Sequence, residues 1–252
     1  MRLTTRIGKS LLRRLLPQPV PARHAEYSMI FSADDDAGRP TPALLSLALE
    51  AIRHAQAISL PDVSGRMSEP PYFPEVWPGE VYRLLAGLVT VRQPMVILDI
   101  GTGGGTSALT MRRFLPPGGR LVTFDPVSWR SYPGSLLRED DFRDGRLVQY
   151  PDDVTRPEGF ATHRALFESA DVLYIDAAKD GVMERRLLDL LETVAFQREP
   201  LLVFDDIRLW PMLRIWREIT RPKLDLTSFG HWTGTGFVEW GGLALPPRDQ
   251  VH

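Results

Sequence analysis

Hydrophobic positions change period along the chain, and those changes mark out its elements. Short apolar runs occupy residues 95–100, 120–125, 145–150, 170–176 and 200–206, and four of the five end in Asp or carry Asp near the end. Runs this short, rich in Val, Ile and Leu and without strict alternation, predict strands buried on both faces of a parallel sheet. Between and before them the spacing turns helical. Pro42 opens a predicted helix through Ser59 with Leu44, Leu47, Ala48, Ala51 and Ile52 on one face, and Gly79-Glu80 leads into a second helix ending near Thr90. A later one buries Met183, Leu187, Leu188 and Leu191. The acidic stretch 139–144 reads as helix and surface, and residues 224–240 read as two strands joined by a Gly-rich turn. Strands alternating with helices predict an α/β fold with a doubly wound, mainly parallel sheet.

The start of the chain follows a different rule. Leu3, Ile7, Leu11 and Leu15 recur at four-residue spacing beside Arg2, Arg6, Lys9, Arg13 and Arg14, with no acid before Glu26. Such a helix suits packing on its own domain or a dimer partner, contact with a membrane surface through residues 1–16, or an organelle-targeting role. The expected organisation is a basic helix and linker over 1–40, a helical cap over 41–94 that covers an acceptor site, and a core over 95–252. The cap and core together form one compact domain. With 252 residues and 43% hydrophobic content the chain is long enough for a full-sized core. A net charge of -2 without a basic, aromatic-studded patch argues against a nucleic-acid partner. The chain has no cysteine, which excludes disulfides, thiolate metal sites and cysteine nucleophiles. No apolar run reaches the length of a membrane span, so the expected location is the cytoplasm, peripheral to a membrane if the first helix docks there.

Chemistry concentrates where the first of the five strands breaks into glycines. In Leu98-Asp99-Ile100-Gly101-Thr102-Gly103-Gly104-Gly105-Thr106-Ser107, glycines let the backbone take positive φ and let a ligand approach closely, and a helix opens at Thr106 or Ser107. Asp125, ending the next strand, is placed as a ribose diol's partner is placed in nucleoside-binding α/β folds. No Gly-Lys-Ser/Thr ending is present, so this is not a P-loop, and the dinucleotide fingerprint is only partly met. Asp99 ahead of the first glycine favours a ligand with a charged amino-acid tail, S-adenosylmethionine rather than NAD.

These residues resemble motif I of the class I S-adenosylmethionine-dependent methyltransferases, and Gly105-Thr-Ser-Ala-Leu is most similar to the catechol and caffeoyl-coenzyme A O-methyltransferase group. The resemblance implies a Rossmann-like sheet of seven strands closed by an antiparallel hairpin. It also implies cofactor contacts at Asp99, Gly101, Gly103, Gly105, Thr106, Ser107 and Asp125, and an adenine contact at Asp152 or Asp153; for either of these two acids a turn or capping role is equally open. Methyl transfer to a hydroxyl needs close in-line approach and a way to acidify the proton. Asp176, Asp205 and Asp206 are hard oxygen ligands of the kind Mg²⁺ or another divalent cation takes. In the resembled group an Asp and an Asp-Asn pair hold the metal and a lysine serves as base. Asp176 and Lys179 match that pattern, while Asp206 departs from Asn. His231 is an alternative base. Tyr72, Phe73 and Trp77, on a proline-rich loop, are candidates to line an acceptor pocket. The expected activity is O-methylation of a small hydroxylated acceptor, catechol-like or a vicinal diol such as a sugar or natural-product hydroxyl. The alternative is a protein of this fold that binds S-adenosylmethionine as a scaffold or rearrangement catalyst without methyl transfer.

Overall fold

The computed structural model describes residues 38–69 and 73–241. The predicted basic helix at 1–16, its linker up to residue 37 and Tyr72 lie outside the described residues. Seven strands form one sheet in the order β3-β2-β1-β4-β5-β7-β6. They are β1 (Val96–Ile100), β2 (Arg120–Phe124), β3 (Leu147–Tyr150), β4 (Val172–Ile175), β5 (Leu201–Asp205), β6 (Lys223–Asp225) and β7 (Thr235–Glu239). The first five are mutually parallel, and β7 runs antiparallel to both β5 and β6. The doubly wound sheet and its closing antiparallel pair are thus as expected.

Alternation along each strand feeds two cores. On one face Ile97, Leu121, Val172, Tyr174, Val203 and Phe237 pack against α1 (Pro42–Ala57), α3 (Tyr82–Arg92) and α4 (Thr106–Phe114). On the other, Leu98, Ile100, Val122, Phe124, Leu173, Phe204 and Val238 pack against α5 (Pro157–Glu168), α6 (Met183–Leu191) and α7 (Trp210–Glu218). Both sets are almost fully buried, which is why the strands read as continuous apolar runs. A short helix, α2 (Pro61–Ser64), leads out of the first layer. α1 starts where Thr41 Oγ1 accepts the Leu44 amide at 3.0 Å with Pro42 in the first turn.

Two predictions shift. Between β2 and β3 the acidic stretch forms only a 3-10 turn, Glu139–Phe142, because the Asp141 carboxylate bonds back to the Arg138 amide and closes the turn at once. Helices α5 and α7, which the hydrophobic pattern did not single out, each begin with proline in the first turn.

Register explains where the site falls. Ile100 is level with Ile175, and Ile175 with Phe204. The residues that follow, Gly101, Asp176 and Asp205, therefore form one row along the carboxyl edge of β1, β4 and β5. The strand order reverses between β1 and β4, which is where open α/β sheets leave a crevice for ligands.

Candidate active site

Crossing from β1 to α4, the glycines do two different jobs. Gly101 (φ +109°) passes so close to β4 that a Cβ would stand 2.0 Å from the Asp176 carbonyl oxygen, and at Gly105 (φ +83°) it would strike Leu137 at 2.4 Å. Packing demands these two glycines. Gly103 is different: a Cβ there would meet nothing nearer than the Tyr132 hydroxyl at 3.9 Å. It lines a cleft of about 380 Å³ together with Gly101, Asp125, Asp152, Asp153 and Asp176. Asp125 sits at the lip and accepts the Gly103 amide at 3.1 Å and the Val127 amide at 2.8 Å. A larger groove of about 930 Å³ between α6 and α7 contains none of the acids at the strand ends.

Four predicted cofactor residues stand behind this lining. Asp99 is fully buried, with its carboxylate taken up by Thr123 Oγ1 at 3.0 Å and Ser107 Oγ at 3.3 Å. Burial pushes its carboxyl well above the usual range, and the two hydroxyls only partly offset this. Asp99 does not face the cleft as the sequence suggested, because β1 continues through Ile100 and turns the Asp99 side chain into the first core. Ser107 is thereby spent on Asp99, Gly105 abuts Leu137, and Thr106 does not line the cleft. The adjacent acids after β3 also part company. Asp153 is spent locally on the Thr155 amide, the Thr155 hydroxyl and Arg156. Among the described residues Asp152 keeps one side-chain hydrogen bond, with His163 Nε2 at 2.6 Å.

The second half of the site lies on the same edge. Lys179 Nζ is 2.8 Å from Asp176, 3.2 Å from Asp206 and 3.9 Å from Asp205. Burial alone would lower the Lys179 pKa, but the three carboxylates outweigh it and hold the side chain as an ammonium. Burial and Asp205 push the Asp176 carboxyl upward against the pull of Lys179. Lys179 and Asp206 both adopt φ +60°, a left-handed conformation that is costly for residues with a Cβ.

His231, in the connection from β6 to β7, closes the cluster. Its Nδ1 lies 3.1 Å from Asp206 and 3.3 Å from Asp205, while Nε2 faces Glu80 at 3.3 Å. Burial disfavours its charge, but the close carboxylates of Asp205, Asp206 and Glu80 push its pKa up to about 12. Asp206 goes the other way: despite burial, His231, Thr233 and Lys179 hold its carboxyl well below the usual range. Glu80 arrives because Gly79 bridges His231 and its carbonyl accepts the Trp232 amide at 3.3 Å. Sequence reasoning missed Glu80 and Thr233, since only the folded bridge between residues 79 and 231 brings the two segments together.

Donor atoms of Asp205, Asp206 and His231 lie within 4.8 Å of one another, which suits a single divalent cation. Asp205 is 5% exposed, and its buried Oδ1 faces His231 Nδ1 at 3.3 Å as an ion-pair partner. Asp176 stands beside this trio, joined to it through Lys179. Phe73 is partly exposed in a 3-10 turn, and Trp77 packs against the first core. No helix among the described residues is long and apolar enough to cross a membrane.

No family model matches the chain, and no curated protein matches it. Solved structures do. A provisionally named caffeoyl-CoA O-methyltransferase from Staphylococcus aureus is 16% identical, with 78% of this chain and 100% of that one covered and a TM-score of 0.52. A methyltransferase from Geobacter sulfurreducens is 16% identical over 94% of this chain and 96% of its own, with a TM-score of 0.49. The O-methyltransferase TomG from Streptomyces achromogenes, solved with S-adenosylmethionine, is 19% identical over 96% and 100%, with a TM-score of 0.44. At such identity the likeness is one of architecture, and the chain has the seven-stranded, Rossmann-like fold seen in methyltransferases.

Proposed function

We propose that the protein is an S-adenosylmethionine-dependent, divalent-metal-dependent O-methyltransferase of a small hydroxylated acceptor. The observation that carries this reading is the position of Asp176. It lines the glycine cleft and is also ion-paired with Lys179 at the edge of the Asp205–Asp206–His231 cluster. A cofactor in the cleft and an acceptor at the cluster would thus be neighbours, as in-line transfer requires. The acceptor oxygen gives up its proton and attacks the methyl carbon, the carbon–sulfur bond breaks, and S-adenosylhomocysteine and a proton leave.

Each side chain has a part in this. Asp205, Asp206 and His231 would hold the cation, with Asp176 alongside, and His231 would give up its ring proton to bind as the neutral imidazole. When bound, a divalent cation acidifies a hydroxyl that it touches and offsets the negative field that keeps Lys179 protonated. Lys179 then stands within reach of the acceptor as the proton-handling group. Tyr82 and Glu80, from the cap segment 41–94, stand on the acceptor side. Two adjacent oxygens on one acceptor, as in a catechol or vicinal diol, would satisfy an open metal site best.

The test combines calorimetric titration of S-adenosylhomocysteine with turnover on a panel of catechols and vicinal diols, with S-adenosylhomocysteine formation followed by mass spectrometry. Binding, and turnover that stops in chelator and returns with Mg²⁺ or Mn²⁺, is the expected result. Absence of binding rejects the cofactor assignment, and full turnover in chelator rejects the metal.

A further inference from the structure

Helix α5 carries a histidine where an apolar residue would pack equally well. His163 is 7% exposed. Its ring stands edge-on to Phe124 at 5.0 Å and packs against Tyr150 at 4.5 Å between centroids. Within this aromatic box its Nε2 has one polar partner among the described residues, Asp152 Oδ2, at 2.6 Å. The Asp152 side chain is itself 45% exposed and lines the cleft. A buried, well-packed ring therefore grips one oxygen of a carboxylate whose other oxygen is left to the cleft. The neighbouring acid offers no equivalent, because Thr155 and Arg156 occupy Asp153.

We infer that His163 is a positioning residue: it fixes Asp152, for which the resemblance implies an adenine contact, and so makes the cleft select adenine over hypoxanthine. This rests on the cofactor reading proposed above. A carboxylate accepts from an amino group but meets the 6-oxo oxygen of hypoxanthine as a second acceptor, lone pair against lone pair. Discrimination depends on the carboxylate staying in place, since a mobile Asp152 can swing away and admit either base at little cost. Packing between Phe124 and Tyr150 removes the ring's own freedom, so the 2.6 Å hydrogen bond acts from a fixed point. The labour would thus be divided between two strand ends: Asp125, after β2, beside Gly103, and Asp152, after β3, for the base edge.

The experiment measures calorimetric affinities of S-adenosylhomocysteine and its deaminated counterpart, S-inosylhomocysteine, for the wild type, His163→Phe, His163→Gln and Asp152→Asn. A hydrogen bond to a charged group predicts that the wild type prefers the adenine form by roughly ten- to a hundredfold. Phe fills the aromatic box but cannot hold Asp152, so His163→Phe should lose most of that preference with its melting temperature little changed. His163→Gln, which can still donate to Asp152, should retain more of it. Asp152→Asn, whose amide can donate to the 6-oxo group, should narrow or invert the preference. Equal preference in His163→Phe and the wild type would overturn the role of His163 while leaving the cofactor reading intact. Equal binding of both ligands by the wild type would overturn adenine selection alone, and failure to bind either would overturn the cofactor reading and this inference with it.

Discussion

Removing Arg66 should unfasten the loop that roofs the glycine turn. Its guanidinium donates to both Asp141 oxygens, at 2.6 and 2.8 Å, and to the Leu136 carbonyl at 2.9 Å. The next contacts lead directly to the cleft: the Leu136 amide donates to the Gly104 carbonyl at 2.9 Å, and Leu137 fills the space beside Gly105. Arg66→Ala leaves the Asp141 side chain, 6% exposed, with the Arg138 amide as its remaining donor. Stranding one member of a buried pair costs about 3–5 kcal/mol, and the remaining donor places this case near the lower end. For a chain of this size that corresponds to a fall of roughly 6–12 °C in melting temperature.

The pH dependence carries a sign. Burial raises the Asp141 carboxyl, but the Arg66 hydrogen bond and the Arg138 amide outweigh it and hold it below its ordinary value. A depressed folded-state pKa gives stability that is present above the unfolded value, about 3.9, and lost as pH falls through the folded value. The gap in stability between wild type and Arg66→Ala should therefore be wide at neutral pH and shrink in acid. Calorimetry and urea titration across that range measure it, with Arg53→Ala, which breaks an exposed pair with Glu50, as the silent control. A gap that stays constant below the unfolded pKa, or a neutral-pH loss no larger than that of Arg53→Ala, would refute the reasoning.

Three further outcomes follow from the same geometry. Asp206→Ala should weaken Mn²⁺ binding by at least about tenfold in calorimetric titration and abolish turnover, while S-adenosylhomocysteine binds as before. Gly105→Ala should destabilise the fold by about 2 kcal/mol through its left-handed φ and the clash with Leu137, whereas Gly103→Ala should cost less stability and more cofactor affinity; paired thermal melts and titrations separate the two. Glu184→Gln should slow turnover more than it lowers the melting temperature. Glu184 is fully buried and accepts the Lys179 amide at 2.8 Å and the Gly181 amide at 2.9 Å, clamping the loop that presents Lys179.

Much of this was legible before any coordinates. Strand runs such as 96–100 and 201–205 announce themselves because burial on both faces removes alternation, and the acids at their ends follow from that assignment. What periodicity could not show was direction. Asp99 and Asp176 look alike in the sequence, yet one points into the first core beneath Thr123 and the other into the cleft, a difference set by how far β1 and β4 run before they break. Likewise, Asp152 and Asp153 are distinguished only by which of them α5 reaches through His163. Glu80 joined the site through a bridge across 152 residues of chain, from 79 to 231, which no local pattern encodes.

The cluster on the carboxyl edge is expensive in stability, and the costs point the same way as the chemistry. Asp176, Asp205, Asp206 and Glu80 gather around two cations, Lys179 and His231. Lys179 and Asp206 are held at φ +60°, each costing about 1–2 kcal/mol for a residue with a Cβ. A sheet edge shaped for stability alone would have placed glycine at both left-handed positions and an apolar residue at 205. Strain concentrated on the residues that would handle a metal and a proton is the pattern expected where binding, rather than folding, recovers the cost. The loop between β1 and α4 shows no such strain: its left-handed positions at 101, 103 and 105 are all glycine, whereas Ala178 (φ +31°), on the Lys179 side of the cleft, shares the strain of the cluster. Two halves of one crevice thus carry different signatures, a relaxed cradle for a large ligand and a tense cluster for charge.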